Sequence, residues 1–145
     1  MKKNISLNAL EETVICKQMA ISDYHGEGSQ AYLTENNSVN KNKIKISLLH
    51  HVFDELNIST VDCLLIDVEG AELNVLRSID FKKTLVPRIY CELHPFAWDK
   101  FGCSAEEMGE FLKNNNYYCL DMYLQKYTDL RSKEGYIGPT LFIEI

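Results

Sequence analysis

Apolar and polar positions change period several times along the chain, and each change predicts an element. Ile5, Leu7 and Leu10 suit a short helix end, and the β-branched run TVICKQMAI (13–21) predicts a strand after it. DYHGEG breaks that strand as a turn, SQAYLTE predicts a second short strand, and NNSVNKNK predicts a polar loop. Within IKISLLHHVFDEL (44–56), Leu48, Leu49, Val52, Phe53 and Leu56 recur at helical spacing. Residues 61–68 form a nearly continuous apolar strand, the kind expected when helices cover both faces of a sheet. A helix face of Leu73, Val75, Leu76 and Ile79 follows, then the strand PRIYCELH. SAEEMGEFL opens a helix with Ser104 and Glu107 at capping-box spacing, and the three asparagines at 114–116 stop it. YYCLDMY and, after Gly138-Pro139, TLFIEI predict an antiparallel pair at the sheet edge. The alternation of strands and helices ending in a hairpin predicts an α/β fold with a doubly wound sheet. With no internal repeat and only three prolines, the chain reads as one domain over 1–145.

Composition narrows the function classes. The 145 residues are 46% hydrophobic and 25% charged, which suits a soluble domain with a real core. A net charge of -6 without a long basic run gives little support to nucleic-acid or anionic-membrane binding. Lys41, Lys43 and Lys45 are the nearest approach to a basic cluster and read as a solvated loop. No apolar run approaches the roughly 18–20 residues of a membrane helix, and the acids of MKKNISLNALEE do not suit a signal peptide, so a cytoplasmic location is expected. Five widely spaced cysteines, an odd number in mostly apolar segments, are expected as free thiols.

The candidate chemistry lies where strands end. Ligands of open α/β sheets bind outside the carboxyl ends of the strands, and Asp67 and Glu69 leave one strand as Glu92 and His94 leave the next. An acid at the end of a buried strand costs more desolvation than a helix cap requires. Asp67 as an N-cap remains the structural alternative, and Glu72 is expected simply to complement its helix dipole. Alternation on a strand turns Glu92 and His94 one way and Cys91 and Leu93 the other, which weakens a zinc reading of CELH. His94 with the acids suits a proton acceptor or an oxygen-rich divalent-metal site, whereas His50 and His51 diverge on their helix and read as surface residues. Trp98, Phe96 and Phe101 are read as core rather than as an acceptor wall.

The run LLIDVEGAELNVLRSI, then IYCELHP and a helix start FGCSAEE, closely resembles the FkbM family of S-adenosylmethionine-dependent methyltransferases. VICKQMAISDYHGEGSQAYL and IKISLLHHVFDELNISTVD are similar to that family's preceding strand, turn and connecting helix. The resemblance implies a Rossmann-like class I methyltransferase sheet and methyl transfer, usually to a hydroxyl. It implies that Asp67 and Glu69 lie near the transferable methyl, Glu92 and His94 near the acceptor or base, and Ala20, Ser22 and Asp23 near the adenine. Within these groups His94 is the candidate base, with Asp67 and Glu69 orienting the acceptor or a metal; Asp67 also counts among the cofactor contacts.

Such methyltransferases begin with a strand, a glycine-rich turn and a helix, then a second strand ending in an acid for the ribose. Residues 1–12 do not supply these, and Gly26 and Gly28 read as a turn after the wrong strand. The expectation is a sheet truncated at its N-terminus, with strand edges open to a complementing chain or a second copy. Three readings follow: a methyltransferase acting on a small molecule or glycan, a non-catalytic interaction module keeping the second half of the fold, and a divalent-metal enzyme using Asp67, Glu69, Glu92 and His94.

Overall fold

The computed structural model describes residues 1–33, 39–126, 130 and 139–144. The chain gathers into two compact units, Met1–Ala20 with Gly26–Ile46, and Ile21–His25 with Ser47–Ile145.

In the first unit, helix α1 (Lys2–Leu7) has no buried residue. The strand expected over 13–21 shrinks to β1 (Ala20–Ile21), since Thr13, Val14 and Ile15 are exposed and join no sheet. Strands β2 (Gly26–Leu33) and β3 (Val39–Ser47) pair antiparallel, Gly26 facing Ile46 and Leu33 facing Val39, in a sheet of order β1-β3-β2. Two expectations are corrected here. Residues 39–43, read as loop, and 44–47, read as helix, are both strand, because Ile44 and Ile46 alternate with exposed Lys43 and Lys45. Gly26 and Gly28 likewise belong to β2 rather than to a turn; a Cβ on Gly28 would stand 2.8 Å from Ile46 Cδ1. Residues 34–38, 138 and 145, which the sequence reading placed in a strand end, a loop, a break and a strand end, lie outside the described residues.

The second unit is mixed α/β. Its sheet runs β4-β5-β7-β6, from β4 (Leu64–Ile66), β5 (Arg88–Glu92), β6 (Tyr117–Leu120) and β7 (Pro139–Glu144). Strands β4 and β5 are parallel, while β7 runs antiparallel between β5 and β6. Helices α2 (Leu49–Leu56), α3 (Glu72–Arg77), α4 (Pro95–Trp98, continued by a 3-10 turn to Phe101) and α5 (Ala105–Asn114) complete it. The Ser104 cap holds: the Glu107 amide donates to Ser104 Oγ at 3.2 Å. Leu73, Leu76, Ile89, Met108 and Phe142 are buried completely in one core cluster, each such side chain contributing about 1.5–3 kcal/mol. Strand β4 departs from the expectation of burial on both faces. It is only three residues long, stands at the end of the sheet, and leaves Leu65 68% exposed.

Candidate functional site

The parallel pair β4 and β5 brings two loops side by side at its carboxyl end. The first, 67–71, makes a tight turn through positive φ at both Glu69 (53°) and Gly70 (113°). Glycine is required at 70 for a second reason: a Cβ there would stand 2.6 Å from Ala97 Cβ and 3.1 Å from the Phe101 ring. The absence of that carbon lets α4 close onto the turn, and α4 begins immediately after His94.

Glu72 ties the two loops together. It is completely buried, and its Oε1 accepts from the Gly70 amide at 2.7 Å. Its Oε2 accepts from Trp98 Nε1 at 2.7 Å, and His94 Nδ1 lies 2.9 Å from Oε1. Glu72 does stand in the first turn of α3, as expected, but it does more than complement the helix: it is the carboxylate on which the turn, the histidine and the tryptophan converge. Asp67 is not the N-cap either, since α3 is preceded by Ala71 and carries no side-chain cap bond. A sequence signal for the burial of Glu72 existed. It stands three and four residues before Val75 and Leu76, on the same apolar stripe.

On the other side of the imidazole, His94 Nε2 lies 3.6 Å from Glu69 Oε2. Asp67, Glu69 and His94 each offer a ligand atom within 4.8 Å of the others, the two acids exposed and the histidine buried. Glu92, the last residue of β5, is half-buried opposite Pro139 and is not part of that trio. Cys91 is completely buried in the core, where burial foremost, with Glu72 next, pushes its thiol far up, and it is not part of the trio. Trp98 is core as expected, but Phe96 and Phe101 are about half exposed. Phe96 meets His94 edge-on at 5.8 Å and helps line a cavity of about 250 Å³ with Asp99, Cys103, Ser104 and Glu106.

The model of the methyltransferase FkbM domain matches residues 4–119. The chain belongs to the FkbM methyltransferase family. Searches of curated proteins and of solved structures return no match. In this FkbM domain, the β4 and β5 motifs that carried the resemblance are the two loops that meet around Glu72. Of the residues the resemblance assigned to the cofactor, Ser22 donates its amide to the Ser47 carbonyl at 3.1 Å, and its hydroxyl lies 3.3 Å from Asp23 Oδ1. Ala20 forms the start of β1. His50 and His51 stack edge to face at 4.3 Å, with His50 Nδ1 on the Ser78 carbonyl, so they take no part in the trio. Among the described residues no helix is long and apolar enough to cross a membrane.

Proposed function

We propose that this FkbM domain transfers a methyl group from S-adenosylmethionine to a hydroxyl oxygen of a small molecule or glycan, at the face formed by Asp67, Glu69 and His94. The observation that carries the reading is the convergence of these three side chains at the carboxyl ends of parallel strands in a methyltransferase-family chain. When bound, S-adenosylmethionine supplies an electrophilic methyl carbon on a cationic sulfonium. Two exposed carboxylates suit a cationic donor, and Ala20, Ser22 and Asp23 are the candidate contacts for its adenosine. His94 Nε2 takes the proton of the acceptor hydroxyl as its oxygen attacks, and Asp67 and Glu69 orient that hydroxyl. Glu92 and the exposed ring of Phe96 bound the acceptor side. The odd number of widely spaced cysteines suits a reducing, cytoplasmic setting.

Calorimetric titration of the purified chain with S-adenosylmethionine tests this reading. Saturable binding, weakened about tenfold or more in Asp67→Ala, is expected, a loss of about 1.4 kcal/mol. No heat from a folded chain at high ligand concentration rules the reading out for this chain alone. The outer edge of β4 also bears on that result, since a strand edge with no partner among the described residues, beside exposed Leu65, suits a complementing chain or a second copy. Light scattering checks the second copy: a dimer lost in Leu65→Lys supports it, and a monomer rejects it.

A second reading is favoured by the spacing of the ligand atoms of Asp67, Glu69 and His94, which suits a divalent cation held by two carboxylates and an imidazole. Saturating Mn²⁺ or Mg²⁺ is then expected to raise the melting temperature of the wild type and not of Asp67→Ala. An unchanged wild-type melting temperature rejects it.

A further inference from the structure

Glu72 is completely buried with three nitrogens on its carboxylate, and their chemistry fixes the state of its neighbour. Two of the three groups on it, the Gly70 amide and the Trp98 indole, are N–H donors that have no alternative role. The third, His94 Nδ1, faces the same Oε1 that already takes the Gly70 amide. At 2.9 Å a lone pair on Nδ1 would be set against the lone pairs of a carboxylate oxygen, whereas an N–H there completes a charge-assisted hydrogen bond. Burial sharpens the choice, because Glu72 is fully buried and His94 is 5% exposed.

We propose that Glu72 is a positioning residue of this site: it holds His94 in the Nδ1–H tautomer and so turns Nε2 toward the side where Asp67 and Glu69 stand. Gly70 and Trp98 complete the device by holding the carboxylate itself in place from the turn and from α4. The three acids around the ring thus have different tasks, Glu72 setting the imidazole from inside while Asp67 and Glu69 stand on the exposed side. The same lock serves a histidine that accepts a proton or one that ligates a cation. Its functional meaning rests on the reading of the site given above. The position of the proton does not.

The test is nitrogen NMR of the full chain labelled with ¹⁵N-histidine, at a pH where the imidazoles are neutral, with His94→Gln identifying the signals of His94. The expected result is a protonated, pyrrole-type Nδ1 and a pyridine-type Nε2 for His94 in the wild type, replaced by a tautomer mixture in Glu72→Met. An Nε2–H form or a mixture in the wild type overturns the proposal, and so does an unchanged pattern in folded Glu72→Met. Should Glu72→Met not fold, the wild-type spectrum still decides: a pyrrole-type Nδ1 supports the lock and any other form overturns it. No methyl transfer is read, so failed binding of S-adenosylmethionine with an intact Nδ1–H signal rejects the function and leaves the lock standing.

Discussion

At the scale of single residues, Glu72 and Gly70 hold the site and do so by different physics. Replacing Glu72 with alanine leaves the Gly70, Trp98 and His94 nitrogens facing a cavity with no acceptor. Each buried unsatisfied donor costs about 1–3 kcal/mol, so a loss of about 3–5 kcal/mol is expected in urea denaturation, allowing for relaxation. A loss under about 1 kcal/mol would mean that the buried carboxylate is not satisfied in solution as it is here. Gly70→Ala combines positive φ with a Cβ 2.6 Å from Ala97 Cβ, so it too is expected to cost a few kcal/mol. Gly28→Ala is the control. Its new Cβ would press on the end of the Ile46 side chain at 2.8 Å, with Ile46 Cγ1 and Ile44 Cγ2 at ordinary contact distance and no positive φ, and a smaller effect is expected.

At the scale of elements, the helices and the edge strand respond to different changes. Helix α5 is started by the Ser104 cap and held by Met108 and Leu112 on its buried face. Ser104→Ala is expected to cost about 1 kcal/mol of unfolding free energy by chemical denaturation. Core and edge leucines should separate clearly in the same assay. Leu73→Ala, from a completely buried position on α3, is expected to cost about 2–5 kcal/mol, whereas Leu65→Ser on exposed β4 should stay within about 0.5 kcal/mol. Equal losses would mean that Leu65 is covered in solution, as a partner at the β4 edge would cover it.

At the scale of the whole molecule, buried acids that stay protonated make stability fall at alkaline pH. Burial pushes Cys119 from 9.0 up to about 12, against a lowering hydrogen bond from Thr140. Burial foremost, with Glu144 next, pushes Tyr117 from 10.0 up to about 12, its hydroxyl donating to the Val86 carbonyl. Cys91 shifts in the same direction. Below about pH 9 both folded and unfolded chains keep these protons and the groups contribute no slope. Above it the unfolded chain releases them first, so stability falls as pH rises toward the folded values near 12. Melting temperatures taken from neutral to strongly alkaline pH should show this decline, and Cys119→Ala with Tyr117→Phe should flatten it. An unaltered slope in the double variant would place its origin elsewhere.

The sequence by itself determined the family, the β4 and β5 motifs, the helix faces of α3 and α5 and the Ser104 cap. These are local patterns: periodicity and capping act over a few residues and leave their mark on the chain. It misjudged 39–47, where a polar alternation on β3 resembles a loop followed by a helix, because only cross-strand pairing shows which residues face which. It also placed Asp67, Glu69 and His94 at the right strand ends without showing which neighbours each would meet. Only the tertiary structure decided the role of Glu72. Its partners lie 22 and 26 residues further along the chain, and they reach it because β5 lies parallel beside β4 and a glycine at 70 lets α4 close against the turn. A buried carboxylate is defined by the donors gathered around it, and that gathering is a property of packing between distant segments.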